Sequence, residues 1–186
     1  MRLLTILLAT ATLAACNKAP EVELTNASPQ EVATKMKESG VASDMRQPGL
    51  WATTIELVDF QAPGMPPEML DRMKSQMGSG QKQERCVTKE EVDKLDAFIG
   101  QNNANCVFEN YSVGGGKIEG KATCKPGNMT QTMTMKGTYS KTKSDMTMTS
   151  ELTGAPPPMG NAKTVMNVKA ERVGDCPAPA APAAAG

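Results

Sequence analysis

From Trp51 to Asp59 the odd positions Trp51, Thr53, Ile55 and Leu57 alternate with polar neighbours such as Thr54 and Glu56. A period of two sets these on opposite faces of a half-buried strand. Pro63 to Pro67 breaks the pattern. Met69, Met73 and Met77 then recur at i, i+4 and i+8, which predicts a helix over 67–77 that Gly78 and Gly80 close. Residues 82–87 make a short strand with Cys86 near its end. Thr88, with Glu91 three positions on, caps a second helix over 89–98.

Two hairpins follow, and parity sets their registers. Cys106, Phe108 and Ser112 share one face and match Cys124, Ala122 and Ile118 on the return, each pair of numbers summing to 230. Gly114-Gly115-Gly116 is left as a three-residue loop, and glycine supplies the positive φ such loops need. In the next hairpin Met129, Met133, Met135, Gly137 and Tyr139 share a face, with Thr130, Thr132, Thr134, Lys136 and Thr138 on the other. Met146, Met148, Ser150 and Leu152 return on the methionine face only if the turn is even in length. A turn centred on Lys141-Thr142 pairs Met135 with Met148 and Thr134 with Thr149. After the Ala155-Pro156-Pro157-Pro158 loop, a last strand over 164–173 adds Met166, Val168 and Ala170 to that face.

The predicted fold is mainly β: an antiparallel meander of about seven strands with two short helices, forming a strongly curved sheet or an open barrel. Its concave face would be lined by Met, Ile, Val and Trp. The folded domain spans residues 48–176. Residues 16–47 read as a tether with a short helix at about 29–39, because Ser28-Pro29-Gln30-Glu31 is a capping box with proline at the first helical position and Gly40 is a stop. The 177–186 tail contains only Pro, Ala and a final Gly, too little apolar bulk to pack.

The N-terminus changes the picture most. Arg2 precedes an apolar run, Leu3 to Ala14, that is too short to span a bilayer and ends in small residues before Cys16. Leu13-Ala14-Ala15-Cys16 resembles the lipobox of bacterial lipoproteins. That resemblance implies a signal peptide over 1–15, cleavage after Ala15, and a Cys16 acylated on sulfur and nitrogen with palmitate-type chains. Several chains on one residue give stable anchoring. Asn17 stands where an Asp would favour inner-membrane retention, so the resemblance implies an outer-membrane lipoprotein facing the periplasm.

Four further cysteines, Cys86, Cys106, Cys124 and Cys176, suit two disulfides in an exported chain, with three connectivities to choose from. No close C-x-x-C pair argues for metal. The first hairpin's register sets Cys106 opposite Cys124, which leaves Cys86 for Cys176.

Acidic and basic residues number 20 each and aromatics are 3% of the chain, against a basic, stacking nucleic-acid surface. The chain has no histidine, the commonest general base and zinc ligand. With the cysteines oxidised or acylated, no thiolate nucleophile is expected, and no G-x-S-x-G element or phosphate loop occurs. Glu90/Glu91 and Asp93/Asp96 read as a solvated helix face. No catalytic residue and no cofactor is expected, and the protein reads as no enzyme.

What stands out is methionine, 14 residues of it. Met133, Met135, Met146, Met148 and Met166 form one apolar face. Met-x-Met in a strand is what a buried face written in methionine must look like, and Met fills irregular cores. The same thioethers select Cu(I), and the same flexible lining suits an apolar ligand. The sequence therefore reads as a lipid-anchored, non-enzymatic binding or structural module. Its partners are the membrane and an apolar ligand or envelope protein. A periplasmic Cu(I) binder using Met133, Met135, Met146 and Met148 is the alternative.

Pro48-Gly49-Leu50-Trp51, a Met/Pro-rich stretch, Cys86-Val87-Thr88, two hairpin cysteines and Arg172-Val173-Gly174-Asp175-Cys176 occur in that order. The order resembles the bacterial domain-of-unknown-function family 3617 over residues 48–176. The resemblance implies a secreted or lipid-anchored protein and brings no activity.

Overall fold

The computed structural model describes residues 21–78, 80–94, 105–157 and 160–177. In chain order the elements are β1 (Glu21–Ala27), α1 (Pro29–Ser39), α2 (Ala42–Met45), β2 (Gly49–Gln61), α3 (Pro67–Met77), β3 (Gln81–Val87), α4 (Lys89–Lys94), β4 (Cys106–Gly114), β5 (Lys117–Cys124), β6 (Thr130–Tyr139), β7 (Lys143–Thr153) and β8 (Ala162–Gly174). The strands form one antiparallel sheet of eight, ordered β1-β4-β5-β6-β7-β8-β2-β3. The sheet is open, with β1 and β3 as its edges.

The eighth strand and its helix come from the segment expected to be a tether. Residues 21–47 belong to the folded unit: β1 pairs with β4 from Glu21↔Gly114 to Ala27↔Phe108. Ser28 Oγ accepts from the Glu31 amide at 3.2 Å, and the Glu31 carboxylate accepts from the Ser28 amide at 2.7 Å. This reciprocal cap, Pro29 at the start and Gly40 at φ 74° bound α1. One turn apart on its inner side, Val32 and Met36 are fully buried. They close a core with Val22, Phe108, Tyr111, Val113 and Ile118. A short polar strand and a helix with two buried residues lack the bulk to announce this packing. The first four residues after Cys16, and Cys16 itself, lie outside the described residues.

The first hairpin differs from expectation by one residue. Cys106↔Cys124 and Phe108↔Ala122 pair as predicted, but a bulge at Glu109 then shifts the register to Tyr111↔Gly120 and Val113↔Ile118. The extra residue turns Tyr111 and Val113 inward and Ser112 outward. Glu109 is held outside the sheet by Lys121 at 2.6 Å and the Thr123 hydroxyl at 2.7 Å. On the neighbouring strand Asn26 at φ 51° makes the matching kink. The turn shortens to Gly115-Gly116, both at positive φ, the two-residue turn whose twist matches the strands.

The second hairpin is as predicted. Met135 pairs with Met148 and Thr134 with Thr149, and the turn centres on Lys141-Thr142. Helix α3 occupies the predicted 67–77. Helix α4 is described as far as Lys94, so the rest of the 89–98 prediction lies outside the described residues, as does the 178–186 tail. Both disulfides take the pairing that the register favoured: Cys106–Cys124, Cα atoms 4.0 Å apart, and Cys86–Cys176 at 5.3 Å.

Candidate functional site

Tracing cross-strand partners separates the two faces of the sheet. One face carries Lys136–Glu119, Lys143–Glu171 and Lys163–Glu151 ion pairs at 2.6 to 3.0 Å between exposed side chains. Such pairs add little stability, but they mark this as the solvent face. An open groove of about 520 Å³ on it is lined by outward groups including Thr54, Lys82, Asp145, Lys169 and Glu171. Charge of both signs makes that groove a poor fit for an apolar ligand.

The other face gathers every predicted apolar residue. Met135↔Met148 and Met148↔Met166 are consecutive cross-strand pairs, Met146 lies opposite Gly137 and Val168, and Met133 opposite Ser150. Gly137 lets Met146 close in, since a Cβ there would sit 2.8 Å from the Met146 Cα and would also meet the Asp145 carbonyl oxygen.

The helices cover this face unevenly. At one side α1 and α2 seal the core over β1, β4 and β5, and Met135 and Met146 pack at its margin. At the other, Leu70 and Met73 of α3 pack on Phe60, Ala62 and Met65, while Met69 stays exposed. Near the start of β2, Trp51 is buried with Val87 and Ala170. Its ring lies 4.3 Å from the Arg46 guanidinium carbon, and its indole N–H donates to the Gln47 carbonyl at 3.0 Å. Between these three cores runs a strip comprising Met133, Met148, Met166 and Val168. All four are half-buried, and among the described residues they belong to no buried cluster. Their inward neighbours Gln131, Ser150 and Thr164 are polar but uncharged.

The five predicted methionines therefore share one face but divide in role, two finishing a core and three forming the strip. Tyr111 and Tyr139 complete the adjacent core; the strand alternation placed Tyr139 on the methionine face, but Tyr111 escaped it. For Tyr111 the usable signal was Tyr-x-Val facing Ile118, which needs a bulge to be seen. Tyr111 donates its hydroxyl to the Met36 sulfur at 3.0 Å, and burial pushes its pKa well above the usual tyrosine range.

Among the described residues no group of three or more His, Cys, Asp or Glu could hold a metal ion. No described helix is long and apolar enough to cross a membrane. The model of a family described as "Protein of unknown function (DUF3617)" matches residues 46–176, and the chain belongs to that family. The match begins after β1 and α1, so part of the folded unit lies outside it. No curated protein and no solved structure matches the chain.

Proposed function

We propose that this DUF3617 member is a lipid-anchored envelope protein that binds an apolar ligand, such as an acyl chain, along the Met133–Met148–Met166 strip. One observation carries the reading: a charge-free apolar strip across β6, β7 and β8 is left half-buried between helix-covered cores. Methionine suits such a lining because its flexible thioether repacks around varied shapes. The anchoring half of the reading rests on Leu13-Ala14-Ala15-Cys16. The reading is of binding and not catalysis, supported by the lack of any histidine in the sequence.

Titration with a long-chain fluorescent fatty acid tests the ligand half. Saturable binding is expected, and Met148→Lys should weaken it about tenfold or more, because the ammonium must be desolvated beside the chain. Unchanged affinity in a folded Met148→Lys variant would rule out the strip as the site.

The ladder Met135–Met148–Met166 favours one second reading. Three thioethers from adjacent strands on one face are the donor type that Cu(I) selects. Cu(I) binding abolished by Met148→Leu, with fatty-acid binding absent, would establish that reading instead.

A further inference from the structure

We infer that the end of the sheet carrying the Gly115-Gly116 and Lys141-Thr142 turns lies against the membrane. This rests on the acylation of Cys16 proposed above and deepens it into an orientation.

The antiparallel order brings the start of β1 and the end of β8 to one end of the sheet. Glu21 opens β1 opposite Gly114, Lys117 pairs with Thr138, Lys143 with Glu171, and Leu50 with Gly174. Cys176, bonded to Cys86, follows at the same end. Only Asn17, Lys18, Ala19 and Pro20 separate Cys16 from Glu21. Fully extended, the five steps from Cys16 to Glu21 reach at most about 18 Å.

The opposite turns, at Asn128 and Ala155, are a strand length away. Strands β6 to β8 run 10 to 13 residues, roughly 33 to 43 Å. A chain fixed in lipid at Cys16 therefore keeps Glu21 and the neighbouring Gly115-Gly116 turn within about 18 Å of the headgroups, a limit that the far turns, a strand length further on, do not share. Charge adds little to this contact. At this end Lys141 is bridged to Asp44 at 3.3 Å and Lys143 to Glu171 at 3.0 Å, which leaves the exposed Lys117 beside the Gly115-Gly116 turn. One such lysine is screened by salt, so orientation set by tether length should survive added salt.

The test uses the full acylated chain, purified from membranes, oxidised, and reconstituted into phosphatidylethanolamine/phosphatidylglycerol vesicles containing nitroxide-headgroup lipid. A maleimide fluorophore is placed at Thr142→Cys, at Lys117→Cys as a second near site, or at Asn128→Cys. Quenching should be several-fold stronger at both near sites than at position 128, in low and high salt. A flexible Gly/Ser spacer inserted between Lys18 and Ala19, longer than the sheet, should erase the difference. Equal or reversed quenching in protein whose mass shows acyl chains would overturn the orientation alone. A difference that persists with the spacer would overturn tether length as its cause. A mass without acyl chains on Cys16 would overturn the anchor, and the orientation with it.

Discussion

Tyr111 packs edge-on against Phe108 with ring centroids 5.5 Å apart, and its buried hydroxyl donates to Met36. Burial raises its pKa above the ordinary value of 10.0, so the folded protein keeps a proton that the unfolded chain releases near pH 10. The stability this represents is complete below pH 10 and is lost as pH rises beyond it. Tyr111→Phe should cost about 0.5–1.5 kcal/mol at neutral pH through the lost hydrogen bond and should flatten the alkaline decline. Denaturant unfolding on both sides of pH 10 measures both effects. Some decline should remain, since burial also raises Tyr139. Gly137→Ala should be destabilising by about 1–3 kcal/mol, although alanine is ordinarily the better strand residue, because its Cβ meets the Met146 backbone. An unchanged denaturant midpoint would show that β6 and β7 can separate there. Strict alternation made the methionines legible from the sequence, whereas the bulge at Glu109 hid Tyr111. A bulge depends on what holds the extra residue, here Lys121 and Thr123 on the neighbouring strand, and a single strand's pattern cannot report that.

At the level of elements, α1 decides whether residues 21–45 are a tether or part of the fold. Met36→Ala should destabilise the domain by about 2–5 kcal/mol, the usual cost of emptying a fully buried methionine site. A tether helix would tolerate the change without effect, and equilibrium unfolding distinguishes the two. The helix itself was visible in the capping box at Ser28 and Glu31. Its burial was not, because an 11-residue helix with two buried positions looks solvated until β1 supplies the surface it covers. Helix α3 illustrates the converse. Its methionine spacing fixed the element, yet Met69 is exposed and the packing falls to Leu70 and Met73.

Across the whole molecule the sheet stays open, and the two disulfides tie it differently. Cys106–Cys124 closes 18 residues within a hairpin, while Cys86–Cys176 closes 90 and joins β3 to the chain beyond β8. Loop-closure entropy gives about 3.2 kcal/mol for the shorter and about 4.6 kcal/mol for the longer. Replacing Cys86 and Cys176 with alanine should therefore lower the melting temperature more than replacing Cys106 and Cys124, and the reverse order would contradict this ranking. Cysteine pairing was legible because the register set Cys106 opposite Cys124. The extent of the folded unit was not, because β1 is a sheet edge whose burial depends on β4 and α1 together. Methionine parity showed which side chains share a face; which of them the helices leave half-covered depends on where α1 and α3 land. The Met133–Met148–Met166 strip, as a ligand site, is tested most directly by native mass spectrometry of the oxidised protein taken from its own envelope with Cys16 replaced. An adduct of lipid mass, absent from Met148→Lys, is the expected result. A clean unliganded mass in the parent protein, or a copper-mass adduct in its place, would contradict it.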